Sequence, residues 1–372
     1  NSRIIDRIIS ERVIEIVVDV PTSSYVDNDQ LDITNAELKK LVQTLGILGV
    51  NNLSAGIDTT SLTQGQLDDL YNLDSRLVDR MISKELIAST AITVPTEAIS
   101  VLGDSNFDSN HPGKDIKRSE LSALINAMGI MNVSDITVSM DAQTITIAQL
   151  QQLDALNSSI VDRILSSAII SAMDVPTGAY TVVNEHLVKS EITGMIAALV
   201  ILADNDTTKT MADLTLTTIA PANLTTAKLD DLLNVDSLIV YRLVASGVKG
   251  ANIHTTESLA VSGDSNYDAN AIGDDIKVAE LEALVQAMTI LSVTNVGDIA
   301  SSITLTNLQS LDDADIALLV AAPNTIVYHL VSDALINDLP QLYLDSLPQS
   351  DFTDVSRTRF TRAAIVAYFE SV

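Results

Sequence analysis

The sequence predicts a mainly α chain, a tandem array of small three-helix modules of about 80 residues with at most short strands between helices. Three observations carry this expectation. Short sequence markers recur in a fixed order, apolar residues between them step by three and four, and helix-start signals precede each apolar run.

The first marker is Val20-Pro21-Thr22, seen again at Val94-Pro95-Thr96 and Val175-Pro176-Thr177, with degenerate copies at His254-Thr255-Thr256 and Leu339-Pro340-Gln341. The second runs through Asp6-Arg7, Asp79-Arg80, Asp162-Arg163, Tyr241-Arg242 and Tyr328-His329. The third reads Glu37-Leu38, Glu120-Leu121, Glu191-Ile192 and Glu280-Leu281. Together they divide the chain into repeats near 20–94, 95–174, 175–254 and 255–338. Residues 1–19 read as the end of a preceding repeat, and 339–372 as the start of a following one or as a cap. Such an array reads as a piece of something longer, the alternative being capping half-repeats at both ends. The opening at Asn1, without a charged-then-apolar leader, fits a mature or excised piece.

Within a repeat, the first helix follows the Glu marker. Leu38, Leu41, Val42, Leu45 and Leu48 fall on one helical face, as do Leu281, Leu284, Val285, Met288 and Leu291. The second helix opens on a capping box, Thr63 with Gln66 and Thr146 with Gln149; in the third repeat Lys228 stands in the fourth position and only the Thr225 cap remains. The third helix starts after Asp74-Ser75, Asn157-Ser158 and Asp236-Ser237, which are good N-cap residues, and it carries the Asp-Arg marker. The Val-Pro segments are extended, because the residue before proline avoids the helical region. Ile136-Thr137-Val138, Thr144-Ile145-Thr146 and Leu214-Thr215-Leu216 favour short strands or extended loops.

Composition narrows the function. Of 372 residues 47% are hydrophobic and 19% charged, enough apolar material for a core, which must be aliphatic because aromatics are 3%. A net charge of −28 argues against nucleic acid and anionic membrane surfaces, both of which need clustered Lys and Arg. The longest apolar run, from Met195 to Ala203, is too short to span a bilayer. Zero Cys excludes disulfides, thiolate metal sites and thiol catalysis.

One constellation carries chemistry. Asp104, Asn106, Asp108 and Asn110 alternate along the chain and Asp115 stands at position 12 of the same loop; Asp264, Asn266, Asp268, Asn270 and Asp275 repeat the pattern. These loops resemble those of EF-hand and dockerin-like calcium sites, in which such spacing lets a curled backbone bring oxygens onto a hard cation. The likeness covers about a dozen residues per loop. It departs from the pattern at position 6 (Ser109, Ala269, where glycine is usual) and at position 12, where Asp replaces the longer Glu. Glu120 or Glu280 would supply a further oxygen. The resemblance implies two calcium sites, in repeats 2 and 4; the alternative is a set of Asx-turns capping the following helix without metal. Repeats 1 and 3 keep remnants only, at Asp27, Asp29, Asp32, Asn184 and Glu185.

The arginine of the second marker recurs in a cation-poor chain, which reads as an ion pair or a carbonyl cap between neighbouring repeats, with ligand binding as the alternative. The four histidines share no metal spacing, no nucleophile–base motif occurs, and pairs such as Asp68-Asp69 sit on a solvated helix face. The expected function is therefore non-enzymatic: a calcium-stabilised structural repeat segment of a large extracellular or cell-surface protein, serving as stalk, spacer or filament. Its expected partners are neighbouring repeats or copies of itself. The alternative is an adhesin or scaffold module that holds a peptide or glycan, or a surface protein, through its repeats.

Overall fold

The structure is a computed structural model that describes residues 3–16, 20–26, 29–51, 62–88, 94–100, 115–133, 144–182, 185–211, 219–261 and 273–372. Within them the chain is mainly helical, with a single two-stranded sheet. It forms two compact units, Asn1–Ala172 and Met173–Val372.

The first unit holds α1 (Arg3–Ile16), α2 (Asn35–Leu48), α3 (Gln64–Asn72), α4 (Arg76–Ala88), α5 (Arg118–Met131), α6 (Ile147–Asp154) and α7 (Ser159–Ala172). Helix α2 packs on α3 and α4, α5 packs on α6 and α7, and α3 packs on α5. The second unit opens with β1 (Tyr180–Val182) paired antiparallel to β2 (His186–Leu187), followed by α8 (Lys189–Leu202), α9 (Thr226–Leu233), α10 (Leu238–Gly250) and α11 (Val278–Ile290). Then come α12 (Ile299–Ser302), α13 (Leu305–Leu308), α14 (Asp313–Leu319), α15 (Thr325–Asp338), α16 (Gln341–Ser346) and α17 (Arg362–Glu370). Here α8 packs on α9 and α10, α9 on α11, α11 on α14 and α15, and α14 on α17.

The helix boundaries follow from local chemistry. Thr63 and Thr146 form complete capping boxes with Gln66 and Gln149. The same glutamines also donate to Ile47 O at 3.2 Å and Ile130 O at 2.7 Å, tying α3 to the end of α2 and α6 to the end of α5. Lys228 makes the equivalent bond to Leu202 O at 3.4 Å, so loss of the glutamine changes the group and keeps the link. Asp74, Asn157 and Asp236 adopt left-handed backbone just ahead of α4, α7 and α10, a conformation their short polar side chains tolerate. Ser75, Ser158 and Ser237 then accept from Val78, Val161 and Val240 N–H groups as N-caps. Gly49 and Asn132 close α2 and α5 in the left-handed region.

Ile136-Thr137-Val138 and Leu214-Thr215-Leu216 lie outside the described residues, and Thr144-Ile145-Thr146 leads into the α6 cap. Most of the extended pairing that is described follows the first-marker segments and Pro348: Tyr25 with Ile33, Ile99 with Ile116, Leu259 with Ile276, Phe352 with Phe360, and β1 with β2; Thr225 also pairs with Asn295. A one-turn 3-10 helix after Pro21, Pro95 and Pro176 aims the chain back at the residues just ahead of the next helix. At the C-terminal end this turn recurs after Pro348, not Pro340; Pro340 opens α16 instead. Between α11 and α15 the chain holds three short helices rather than one, because Thr304 and Asp312 each cap a new start.

The core is aliphatic. In the first unit Val13, Ile33, Leu38, Leu41, Leu70, Leu77, Val78, Leu86, Ile116 and Leu124 belong to one buried cluster. Aromatic packing appears near the C-terminus, where Phe352 stacks on Phe360 at 4.7 Å between ring centres.

Candidate functional site

The chemistry concentrated in the interior is a set of clasps between α4 and the segment ahead of α5, and between α10 and the segment ahead of α11. In α4 the buried Arg80 meets the buried Asp115 through two nitrogens, with Nη2 to Oδ2 at 2.8 Å. In α10 Arg242 holds Asp275 in the same way, Nη2 to Oδ2 at 3.1 Å, and reaches Asp174 through Nη1 at 2.6 Å. Such paired donors match the planar fork of guanidinium to carboxylate. Arg7 and Asp32 are the looser version, at 3.8 Å with both side chains partly exposed.

Three residues after Arg7, after Arg80 and after His329, which stands at the same position in α15, a serine completes the clasp; Ala245 stands there in α10. Ser10, Ser83 and Ser332 hydroxyls accept the N–H groups of Ile33, Ile116 and Phe360 at 3.0, 2.9 and 2.8 Å. All three serines are buried, so each bond satisfies a donor that has left water.

The recurring glutamate has a separate role. Glu191 accepts from the Ser237 hydroxyl at 2.7 Å and from Leu238 and Ile239 N–H groups at 3.1 Å each. Glu120 does the same with Ser158, Ser159 and Ile160, and Glu280 with Thr325 and Ile326. Glu37 accepts from Ser75 and Leu77. A carboxylate there meets unpaired amides and the positive end of the helix dipole. Burial nonetheless raises the Glu280 carboxyl above its ordinary value, against the hydrogen bonds that lower it.

Beside the first clasp lies a second ion pair. Asp79 Oδ2 accepts from Arg118 Nη1 at 2.6 Å, while its buried Oδ1 has no partner. Arg118 also stacks over Tyr71 at 4.3 Å from the ring centre. Burial, the largest influence, pushes the Asp79 carboxyl up to about 6 against the pull of Arg118. Near the C-terminus the equivalent contact is a cation over a ring, with Arg362 at 4.2 Å from Tyr328. His329 replaces the arginine of the clasp; its Nε2 stands 3.1 Å from Glu257, which also faces Arg359 at 3.8 Å. Burial lowers the His329 pKa, with Arg359 adding to the effect.

Of the ten residues singled out for calcium, the structure describes two, Asp115 and Asp275, and both carboxylates are held by arginine. Asp104, Asn106, Asp108, Asn110, Asp264, Asn266, Asp268 and Asn270 lie outside the described residues. Glu120 and Glu280 turn to the N-termini of α7 and α15. Among the described residues no group of three or more His, Asp or Glu side chains is placed to hold a metal. The reading of the marker arginine as an ion pair holds at Arg80 and Arg242. The glutamate and serine roles were missed, because serine at that spacing looks like a surface residue and the glutamate resembles a first-turn charge of its own helix.

One cleft stands apart from the clasps, of about 710 Å³, bordered by Asp204, Asn205, Asn223, Thr225, Lys228 and Asp231. Lys228 closes one side through a 2.8 Å contact with Asp204. No described helix is long and apolar enough to cross a membrane. Comparison with protein-family models, curated proteins and solved structures finds no match.

Proposed function

We propose that the chain is a non-enzymatic structural segment of a large extracellular or cell-surface protein, serving as stalk, spacer or filament. In this reading it is a tandem array of three-helix modules of about 80 residues, with repeats near 20–94, 95–174, 175–254 and 255–338. The observation that carries it is the clasp itself. The strongest polar chemistry described, Arg80 on Asp115 and Arg242 on Asp275, is buried and spent on joining one stretch of chain to the next. Residues committed in this way support transmission of load, not turnover of a substrate. A module that keeps its contacts with its neighbours suits a spacer.

Calcium enters the proposal through the eight loop residues from Asp104 to Asn110 and from Asp264 to Asn270. Asp115 and Asp275 are assigned to arginine, so the ion would draw its remaining oxygens from backbone and water. Binding at 100-fold excess over the dissociation constant would stabilise each site by about 2.7 kcal/mol.

Pulling single molecules of the full chain from both ends tests the reading. An array yields successive unfolding steps of about 270 Å, the extended length of about 80 residues. One long rip covering a whole compact unit would overturn it. A binding module is the second reading, favoured by the cleft at Asn205 and Lys228; it requires that an added peptide or glycan shift the amide resonances of those residues.

A further inference from the structure

Among the described residues of the first compact unit, the most exposed apolar face is the N-terminal half of α1. Ile4, Ile5, Ile8 and Ile9 are 72%, 57%, 56% and 43% exposed. Aligned on Arg7 and Arg80, they fall opposite Leu77, Val78, Met81 and Ile82 of α4, which are 0%, 0%, 8% and 2% exposed. The same positions of α10, at Ile239, Val240, Leu243 and Val244, are buried as well. In α4 the cover comes from the two helices ahead of it, α2 and α3, which pack against it. The C-terminal half of α1 is already seated: Val13 and Ser10 are buried, and Ser10 accepts from Ile33.

A second observation points the same way. Arg7 and Asp32 occupy the clasp positions of Arg80 and Asp115, yet the pair is 3.8 Å apart and open to water. Asp32 Oδ1 is buried without a hydrogen-bond partner. Where the equivalent apolar face is covered, the equivalent arginine is buried and bound through two nitrogens.

We propose that the Ile4–Ile9 face of α1 is a docking surface for a helix pair of the α2–α3 type. The occupant presents the apolar residues equivalent to Leu38, Leu41, Leu67 and Leu70, and a glutamate equivalent to Glu37 over the first turn of α1. Its chemistry is set by what covers α4. Leu38, Leu41, Leu67 and Leu70 form the buried side of α2 and α3, and Glu37 accepts from Ser75 and Leu77 at the start of α4. Asn1-Ser2 ahead of α1 repeats the Asp74-Ser75 pattern in sequence. Docking removes water from Arg7 and draws it onto Asp32. This inference rests on the array reading and adds the partner that one bare helix of the array accepts.

The test places a copy of residues 20–74 directly ahead of Ser2 in the otherwise complete chain and follows hydrogen exchange of α1 by mass spectrometry. Exchange in the first two turns of α1 slows by about 100-fold, towards that of α4. Ile4→Lys/Ile8→Lys abolishes the gain and leaves α4 to α7 unchanged, since both side chains are exposed in the parent chain. Unchanged exchange in α1 after the addition overturns the proposal. So does slow exchange in the unmodified chain that appears only on self-association and survives the addition, because a second copy would then be the occupant. The array reading is read separately, from the effect of Arg80→Met on α4 and α5. A surviving array with a bare α1 defeats the docking surface alone.

Discussion

Replacing Arg80 by Met tests the clasp most directly. The substitution keeps much of the side-chain volume and removes the charge. Asp115 then stays buried beside an apolar side chain, its carboxylate having lost a guanidinium that bound it through two nitrogens. Removing one partner of a buried pair costs about 3–5 kcal/mol, most of it the burden of the stranded charge. Arg7→Met supplies the internal control. Its pair with Asp32 is longer and wetter, so the expected cost is about 1 kcal/mol or less. The double variant Arg80→Met/Asp115→Leu recovers most of the loss, because an apolar pair of similar volume often replaces a buried ion pair without penalty. Urea unfolding, with hydrogen exchange resolved to α4 and α5, measures all three. The cost of Arg80→Met is the same in millimolar calcium and in EDTA if Asp115 serves arginine. Equal costs at Arg7 and Arg80, or a loss at Arg80 that calcium reverses, would refute the reasoning.

Further outcomes follow from the same geometry. Glu191→Gln weakens three hydrogen bonds at the start of α10 and costs about 1–3 kcal/mol, read from thermal melts at neutral pH. Ser83→Ala leaves the buried Ile116 N–H without its acceptor and costs about 1–3 kcal/mol, with faster exchange at Ile116 as the local signature. Asp79 has a folded pKa of about 6, raised from 3.8, so the folded state binds its proton more tightly than the unfolded one. Its contribution is therefore favourable below the unfolded value and becomes a penalty of about 3 kcal/mol as pH rises through 6. Relative to the parent chain, Asp79→Asn gains stability between pH 4 and pH 7; a difference independent of pH would contradict the raised value. Millimolar calcium raises the melting temperature over EDTA, and Asp104→Asn/Asp264→Asn removes the increment; identical melts would take the ion out of the proposal.

Much of the local structure was legible in the sequence, because it depends on near neighbours. Thr63 with Gln66 and Thr146 with Gln149 form capping boxes across three residues, and Ser75, Ser158 and Ser237 cap helices whose first turns lie next to them. Apolar steps of three and four marked buried positions for the same reason, at Leu38 and Leu41 in α2 and at Leu281, Leu284 and Met288 in α11, whereas Val42 of the same series faces solvent. The Leu339-Pro340-Gln341 and Leu347-Pro348-Gln349 triplets are identical in composition and order, so only the folded chain distinguishes which one makes the 3-10 turn.

What tertiary structure decided is the fate of the charges. Asp115 reads in the sequence as the last oxygen of a calcium-like loop, but Arg80 is 35 residues away along the chain and becomes its neighbour only when α4 seats against the segment ahead of α5. Glu37, Glu120, Glu191 and Glu280 look like first-turn charges on their own helices, and the amides they satisfy belong to another helix 40 to 48 residues on. The sequence determined on its own that the chain is repetitive, acidic, aliphatic and helical, since periodicity and composition are properties of the string. Which carboxylates are buried, and against which cation, depends on distances between remote segments, and those exist only in the folded chain.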